Sequence, residues 1–375
     1  MFFMIFKCDK SALQSACQIC ARAAASKSPI TALEGLLLEV KGTRIQVTGY
    51  DLRKGIYTRI DGEIEEPGKT VVNARLLCEM IRRMPDGIIS VKADENDNIT
   101  IKCGRTQFNI KGLDASDYPE MPEIDEIGSA VIPQNLLKSM IDQTIFAVSD
   151  NDARPIYTGT LFEMDGENLT LVSVDGYRLA KRTENISGAN MEKNSFVVPG
   201  YALSDIVKIC DDDEKKTAAI SVGAKQISFS LGDTVIITRR LEGEFLNYRK
   251  SIPEKFLHVV EVEKSSMMST IDRVSLIISE KNTNPVRMSF EDGRIECLCI
   301  TPIGKAEDVC FCDGTAEGMT IGFNDRYFMD ALKASGKDKL QICLNTPSSP
   351  AVIRAADGTE NFTYMILPVR LRAGD

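Results

Sequence analysis

Four cysteines in the second half of the chain have a spacing that could hold a metal. Cys297-Leu-Cys299 and Cys310-Phe-Cys312 flank a turn near Gly304, so a hairpin would put four sulfurs on one face. Ile295 and Ile300 continue the ordinary alternation of a strand, and a buried cysteine behaves as a small apolar residue. The expectation is therefore core packing. Cys17-Gln-Ile-Cys20 lies on the apolar side of a helical pattern and reads the same way. The acidic run CDDDEKK, residues 210–216, could offer Asp211 and Asp213 to a cation, but it joins a helix to a strand and reads as a solvated turn. Asp175 in SVDGYRLA is turn chemistry through Asp-Gly, and the one histidine, His258, belongs to the strand-like run FLHVVEV. No phosphate loop, dinucleotide fingerprint, zinc-protease helix or nucleophile elbow is present. These residues give no convergent set for catalysis, so the expectation is a non-enzyme with no metal and no cofactor.

The elements that would carry such residues form a repeat. TVVNARLLCEMIRRM (70–84), FVVPGYALSDIVKIC (196–210) and MTIGFNDRYFMDALKAS (319–335) each read as short strand, turn and amphipathic helix. Upstream of each is a hairpin turning at Gly42, Gly166 or Gly293, 124 and 127 residues apart. A further helix precedes each hairpin, over 11–25, 133–149 and 264–278, and alternating runs follow each second helix. The chain is thus expected to hold three similar α+β domains, 1–125, 126–252 and 253–375. Polar, proline-bearing linkers DASDYPEMPEIDE and EGEFLNYRKSIPEK separate them. Within a module the strand-helix-strands order occurs twice, which suggests a pseudo-twofold domain with two helices on one face of antiparallel sheets.

The 375 residues are 43% hydrophobic and 26% charged, with net charge -9. That balance excludes indiscriminate gripping of nucleic acid, although it leaves room for a locally basic face. The six helical windows together carry +5, which leaves -14 on the rest, so charge is segregated by element. In the first helix Leu13, Ala16, Cys17, Cys20 and Ala24 form the apolar stripe, opposite Lys10, Gln14, Gln18 and Arg22. In the second, Leu77, Met80, Ile81 and Met84 turn inward, and Arg75, Arg82 and Arg83 turn out. Lys10, Arg22, Arg75, Arg82 and Arg83 are the helix-face candidates for a polyanion. The start, MFFMIFKCDK, lacks a basic n-region and a long apolar core. It reads as an edge strand, with Met4, Phe6 and Cys8 on one side. A cytoplasmic protein without a membrane partner is expected, its eleven cysteines reduced.

Four stretches carry a family resemblance. VDGYRLA (174–180), EGEFLNYRKSIP (242–253), IGFNDRYFMDAL (321–332) and YMILPVRL (364–371) occur in order within the threefold repeat. With them the chain resembles the bacterial DNA polymerase III beta subunit family, the replicative sliding clamps. The resemblance spans almost the whole chain. It departs at Leu246 and Val174, where the family has proline and threonine, and at Leu367, where it has methionine.

The resemblance implies a head-to-tail homodimeric ring of six modules around double-stranded DNA, sheets outside and helices lining the hole. Six spheres of ~35 Å, the size of 125-residue domains, leave a hole wider than a duplex. It further implies a clamp loader ATPase that opens the ring, and a tethered polymerase and other proteins that carry short clamp-binding peptides. Lys27 and Asn151 match its duplex-contacting loops. Phe108 and Ile110 against Leu276 and Ile277 of a second copy match its dimer contact. A peptide cleft matches Val174, Gly176, Tyr177, Arg178, Leu179, Leu246, Lys250, Asn324, Tyr327, Met365, Leu367, Pro368, Val369, Arg370 and Leu371, with Arg178 and Arg370 as its rim. Pro368 suits an edge strand there, and Arg372–Asp375 run past the family's usual end. Alternatives are a repeat-built interaction scaffold that does not bind DNA, or a metal hydrolase using Asp211–Asp213 or the paired cysteines.

Overall fold

The structure is a computed structural model that describes residues 2–186, 191–279, 284–359 and 361–371. Six α-helices occur among them: α1 Lys10–Cys20, α2 Ala74–Arg83, α3 Gln134–Asp142, α4 Gly200–Ile209, α5 Lys264–Ser275 and α6 Asp325–Ala334. Local chemistry sets their ends. Asp9, Asn73 and Asn324 cap α1, α2 and α6 by accepting from backbone N–H groups that the first turn leaves free.

The sequence repeat is visible as topology. In each module the first strand lies in one sheet with the last three, and the strand before the second helix lies in one sheet with the three that follow the first helix. The two halves of the pseudo-twofold therefore exchange their leading strands. The expected hairpins turn at Gly42, Gly166 and Gly293 with φ of 63°, 63° and 70°, a left-handed conformation that glycine enters without penalty.

One compact unit comprises residues 1–138 and 201–240, the other 139–200 and 241–375. This cut differs from the threefold sequence period because sheets run on from module to module. In the first unit, Thr234–Arg239 pairs antiparallel with Lys54–Ile60 inside an eight-stranded sheet. In the second, Arg178–Asn185 pairs with Phe362–Ile366 inside a twelve-stranded sheet. The middle module thus contributes four strands to each unit.

Two expectations need correcting here. Phe2–Asp9 is no edge strand, because it lies between Glu63–Glu66 and Ile88–Asp94 in a five-stranded sheet. Its alternation is as expected, with Met4, Phe6 and Cys8 buried. In the first helix Ala23, not Ala24, is buried, because the chain tightens into a 3-10 turn over Ala21–Ala23 and shifts the inward position by one. Leu77, Met80, Ile81 and Met84 of the second helix are all buried.

The linkers are pinned by aromatic anchors. Tyr118 is buried and its hydroxyl donates to the Thr48 carbonyl at 3.2 Å. Tyr248 is buried in the second unit, and its hydroxyl donates to Glu163. Among the described residues no helix is long and apolar enough to cross a membrane.

Candidate peptide groove and DNA-facing residues

The cysteine hairpin forms, but in a register that spreads its sulfurs. Cys297 stands opposite Asp308, Cys299 opposite Ala306 and Cys310 opposite Ile295. Cys312 lies level with Gly293, six residues along from Cys299, a span of about 20 Å. Burial pushes the Cys297 and Cys20 thiols up to about 12. The acidic run closes on itself, with Asp211 bound to Lys216 at 2.5 Å and Asp212 to Lys138 at 2.7 Å. No group of three His, Cys, Asp or Glu that could hold a metal ion occurs among the described residues.

The turn at Asp175 is built as Asp-Gly chemistry requires. Its carboxylate accepts from the Tyr177 and Arg178 backbone N–H groups at 2.8 and 2.9 Å, and Gly176 takes φ 94°. Arg178 then donates to Asp175 at 2.9 Å and to Asp330 on α6 at 2.6 Å, while its guanidinium lies 4.4 Å from the Tyr327 ring centre. The exposed Tyr177 ring stacks on Tyr327, centroids 6.2 Å apart. Arg178 is therefore a satisfied, mostly buried tie and not a free rim cation. Arg370, by contrast, is exposed.

The run YMILPVRL divides in two. Tyr364, Met365 and Ile366 end the strand Phe362–Ile366, which is interior, between Arg178–Asn185 and Ala351–Ala355. Pro368 is not in an edge strand: it falls two residues beyond this interior strand, and Val369 after it bridges Gly322 on Met319–Phe323, the end strand of the sheet. From Leu367 the chain leaves the sheet, bonded by Leu367 N–H to the Tyr177 carbonyl and by Val369 N–H to the Gly322 carbonyl, both at 2.8 Å. A Cβ on Gly322 would stand 2.7 Å from Leu371 Cδ2, so glycine is what lets this tail dock. Equivalent bridges, Val71 to Leu113 and Val197 to Leu241, occur in the other modules.

Along the tail runs a groove of about 430 Å³, lined by Gly322, Pro347, Ser348, Pro368, Val369 and Leu371. Pro347 and Ser348 had no signal in the sequence: they belong to the turn before Ala351–Ala355 and reach the tail only through the fold. Val174, Leu179 and Met365 are buried in one apolar cluster with Tyr248, and none of them lines the groove. Leu246 and Lys250 are exposed on the segment anchored by Tyr248. Asn324 is half-buried and spends its side-chain oxygen on the Tyr327 N–H at 3.0 Å. Arg372–Asp375 lie outside the described residues.

The basic candidates differ in how free they are. Lys10 is 14% exposed and bound to Asp86 at 3.1 Å. Arg22 lies 3.6 Å from Asp205, and Arg82 and Arg83 share Glu79 at 2.7 and 3.1 Å. Arg75 and Lys27 are exposed and pair with no carboxylate among the described residues. Asn151, also exposed, accepts from the Ala153 N–H at 2.9 Å in an Asx turn.

Tandem two-helix modules joined by continuous antiparallel sheets, with a groove along the tail after the last strand, define a clamp-type chain. Comparison with known proteins gives the family. Models of the DNA polymerase III beta subunit match throughout: its N-terminal domain over residues 4–122, its central domain over 131–247 and its C-terminal domain over 249–370. The chain belongs to the DNA polymerase III beta subunit family. The beta sliding clamp of Bacillus subtilis (strain 168) is 29% identical over 98% of this chain and 100% of its own length. A crystal structure of the sliding clamp of Bacillus subtilis superposes with a TM-score of 0.94 at 29% identity, covering 99% of this chain and 100% of that one. A DNA polymerase III beta subunit from Eubacterium rectale ATCC 33656 gives 0.92 at 30% identity over 98% and 99%. The Pseudomonas aeruginosa clamp, solved bound to griselimycin, gives 0.93 at 25% identity over 98% and 100%.

Proposed function

We propose that the protein is a non-catalytic sliding clamp. Two copies, each of modules 1–125, 126–252 and 253–375, close head to tail around duplex DNA and tether a replicative polymerase and other proteins to it. The observation that carries this reading is a pair of unpaired sheet edges in a chain of the clamp family. Among the described residues Thr106–Lys111 pairs only with Asn98–Cys103, and Phe108 and Ile110 on it are half-buried. Among the described residues, 304–311 pair only with 294–301, and Leu276 nearby is 78% exposed with Ile277 half-buried beside it. An exposed edge with apolar side chains recruits another strand. A partner's edge satisfies both, and twofold symmetry makes the contact twice.

Holding DNA by enclosure needs weak, exchangeable phosphate contacts. Lys27, Arg75 and Asn151 fit that need, and Arg82 and Arg83 can trade a carboxylate for phosphates because exposed ion pairs are worth little. Arg22 can turn to a phosphate because Lys54 already neutralises its buried partner Asp205. Lys10 fits least. Val369, Leu371 and Arg370 of the groove, with the exposed Tyr177 stacked on Tyr327, would take a short apolar peptide with an acidic flank. The chain carries no nucleotide loop, so opening the ring falls to a separate ATPase. A cytoplasmic location follows from work on chromosomal DNA.

The deciding test is topological. Protein placed on nicked circular DNA should be retained, and should run off once that DNA is linearised. Retention on free-ended DNA would refute enclosure. In parallel, the native mass should be about twice 41.4 kDa, against a single copy for a scaffold without DNA binding.

A further inference from the structure

The repeat has three junction positions, two of them filled within the chain. Each is built from a four-residue turn meeting the second helix of the following module. The turns are fixed by register. Tyr50 pairs with Gly55, Val174 with Leu179 and Ile300 with Lys305, enclosing 51–54, 175–178 and 301–304. Thr301 and Gly304 close one further pair in the third. The helices are fixed by their caps. Asn73 and Asn324 each accept from the N–H three residues on, Leu76 and Tyr327, at 3.0 Å. Six residues past the cap position stand Glu79 in α2, Asp205 in α4 and Asp330 in α6.

Both filled junctions pair the last turn residue with that acid and set the one before it on an aromatic ring, two residues past the cap position at Tyr201 and three past it at Tyr327. At the first, Lys54 binds Asp205 at 2.5 Å and Arg53 lies 4.4 Å over the Tyr201 ring. At the second, Arg178 binds Asp330 at 2.6 Å and Tyr177 stacks on Tyr327. One residue covers a side chain in the first turn of the helix, and the next neutralises the acid one turn further along.

The third turn has no module after it in the chain. Its covering residue, Ile303, is 75% exposed, and the cation's place is taken by Gly304. The one second helix that receives no turn within the chain is α2. There Leu76, in the place of Tyr327, is 45% exposed. Glu79, in the place of Asp330, is neutralised by Arg82 and Arg83 of its own helix. Donor and acceptor have changed together: the turn has lost its cation and the helix supplies its own.

We infer that Ile303 of one protomer packs on Leu76 of the partner subunit, closing the third junction by apolar contact without an ion pair. This rests on the dimeric reading above and adds to it a contact apart from the paired strand edges. It also sets the seam between copies apart from the two junctions inside the chain, each of which has a carboxylate clamped by a basic side chain.

The test is a full-length chain carrying both Leu76→Cys and Ile303→Cys, oxidised at micromolar concentration and run under denaturing, non-reducing conditions. The double variant should give a covalent dimer that reductant dissolves, and the wild type and each single variant should not. Ile303→Asp should weaken dimerisation at least tenfold, and the wild-type dimer should keep its affinity between 50 mM and 500 mM salt. A wild-type chain that dimerises by mass, with no crosslink in the double variant and unchanged dimerisation of Ile303→Asp, overturns this contact and leaves the clamp reading standing. A wild-type chain that stays monomeric overturns both.

Discussion

The Arg178 guanidinium joins Asp175, three residues before it, to Asp330, 152 residues after it, at 2.9 and 2.6 Å. The first bond fixes the turn and the second fastens it to α6, so the Tyr177–Tyr327 stack is held in place. Arg178→Ala leaves two carboxylates facing each other without a cation. A loss of about 3 kcal/mol is expected, the order found when one partner of a desolvated pair is removed. Urea unfolding should show it, and Arg178→Lys should recover only part because one ammonium cannot serve both acids in the same geometry.

Tyr177 is the exposed half of the stacked pair, so removing it should affect ligands more than folding. Tyr177→Ala should weaken a fluorescein-labelled Gln-Leu-Ser-Leu-Phe peptide about tenfold, or ~1.4 kcal/mol, while the melting temperature moves little. Deleting Leu367–Leu371 should abolish that binding and leave the native mass that of the dimer. An unchanged peptide affinity would remove the groove assignment.

The basic side chains should separate by how committed they are. Arg75→Ala and Lys27→Ala should each lower the salt slope of duplex binding by about one. Lys10→Ala should leave the slope unchanged, because Lys10 is already spent on Asp86. Fluorescence anisotropy with a short duplex from 50 to 200 mM salt reads all three.

Buried thiols make stability fall on the alkaline side. The thiols of Cys8, Cys20 and Cys297 are each raised to about 12 by burial. In the folded state they keep their protons, while an unfolded thiol releases its own above about 8.5. Their contribution is fully present below that value and is lost as pH rises toward 12, by about 1.4 kcal/mol per unit per thiol. Thermal unfolding between pH 8 and 10 should show the decline, and substituting Cys297 by Ala should flatten it.

Much of the fold was legible because its signals are local. Gly42, Gly166 and Gly293 mark turns that need positive φ, and the stripes Leu13–Cys20 and Leu77–Met84 mark helices by their period. What stayed hidden depends on distant pairing. Nothing near Phe2–Asp9 shows that strands from both sides will cover it, so it looked like an edge. Arg178 looked like a rim cation because its partner Asp330 is far along the chain. At Val174 and Leu179 family resemblance pointed to a cleft wall, but only the packing shows that both are buried in an apolar cluster. Pro347 and Ser348 carry no pattern that could have placed them there.

Phe362–Ile366 has one further consequence, for the order of assembly. It is hydrogen-bonded on one flank to residues made nearly two hundred positions earlier and on the other to its near neighbours. Until residue 366 has left the ribosome, Arg178–Asn185 presents an open flank and the second unit cannot close. The first unit has all its strands by residue 239. It can therefore fold during synthesis, while the other half waits as an unfinished sheet for its last strand to be translated.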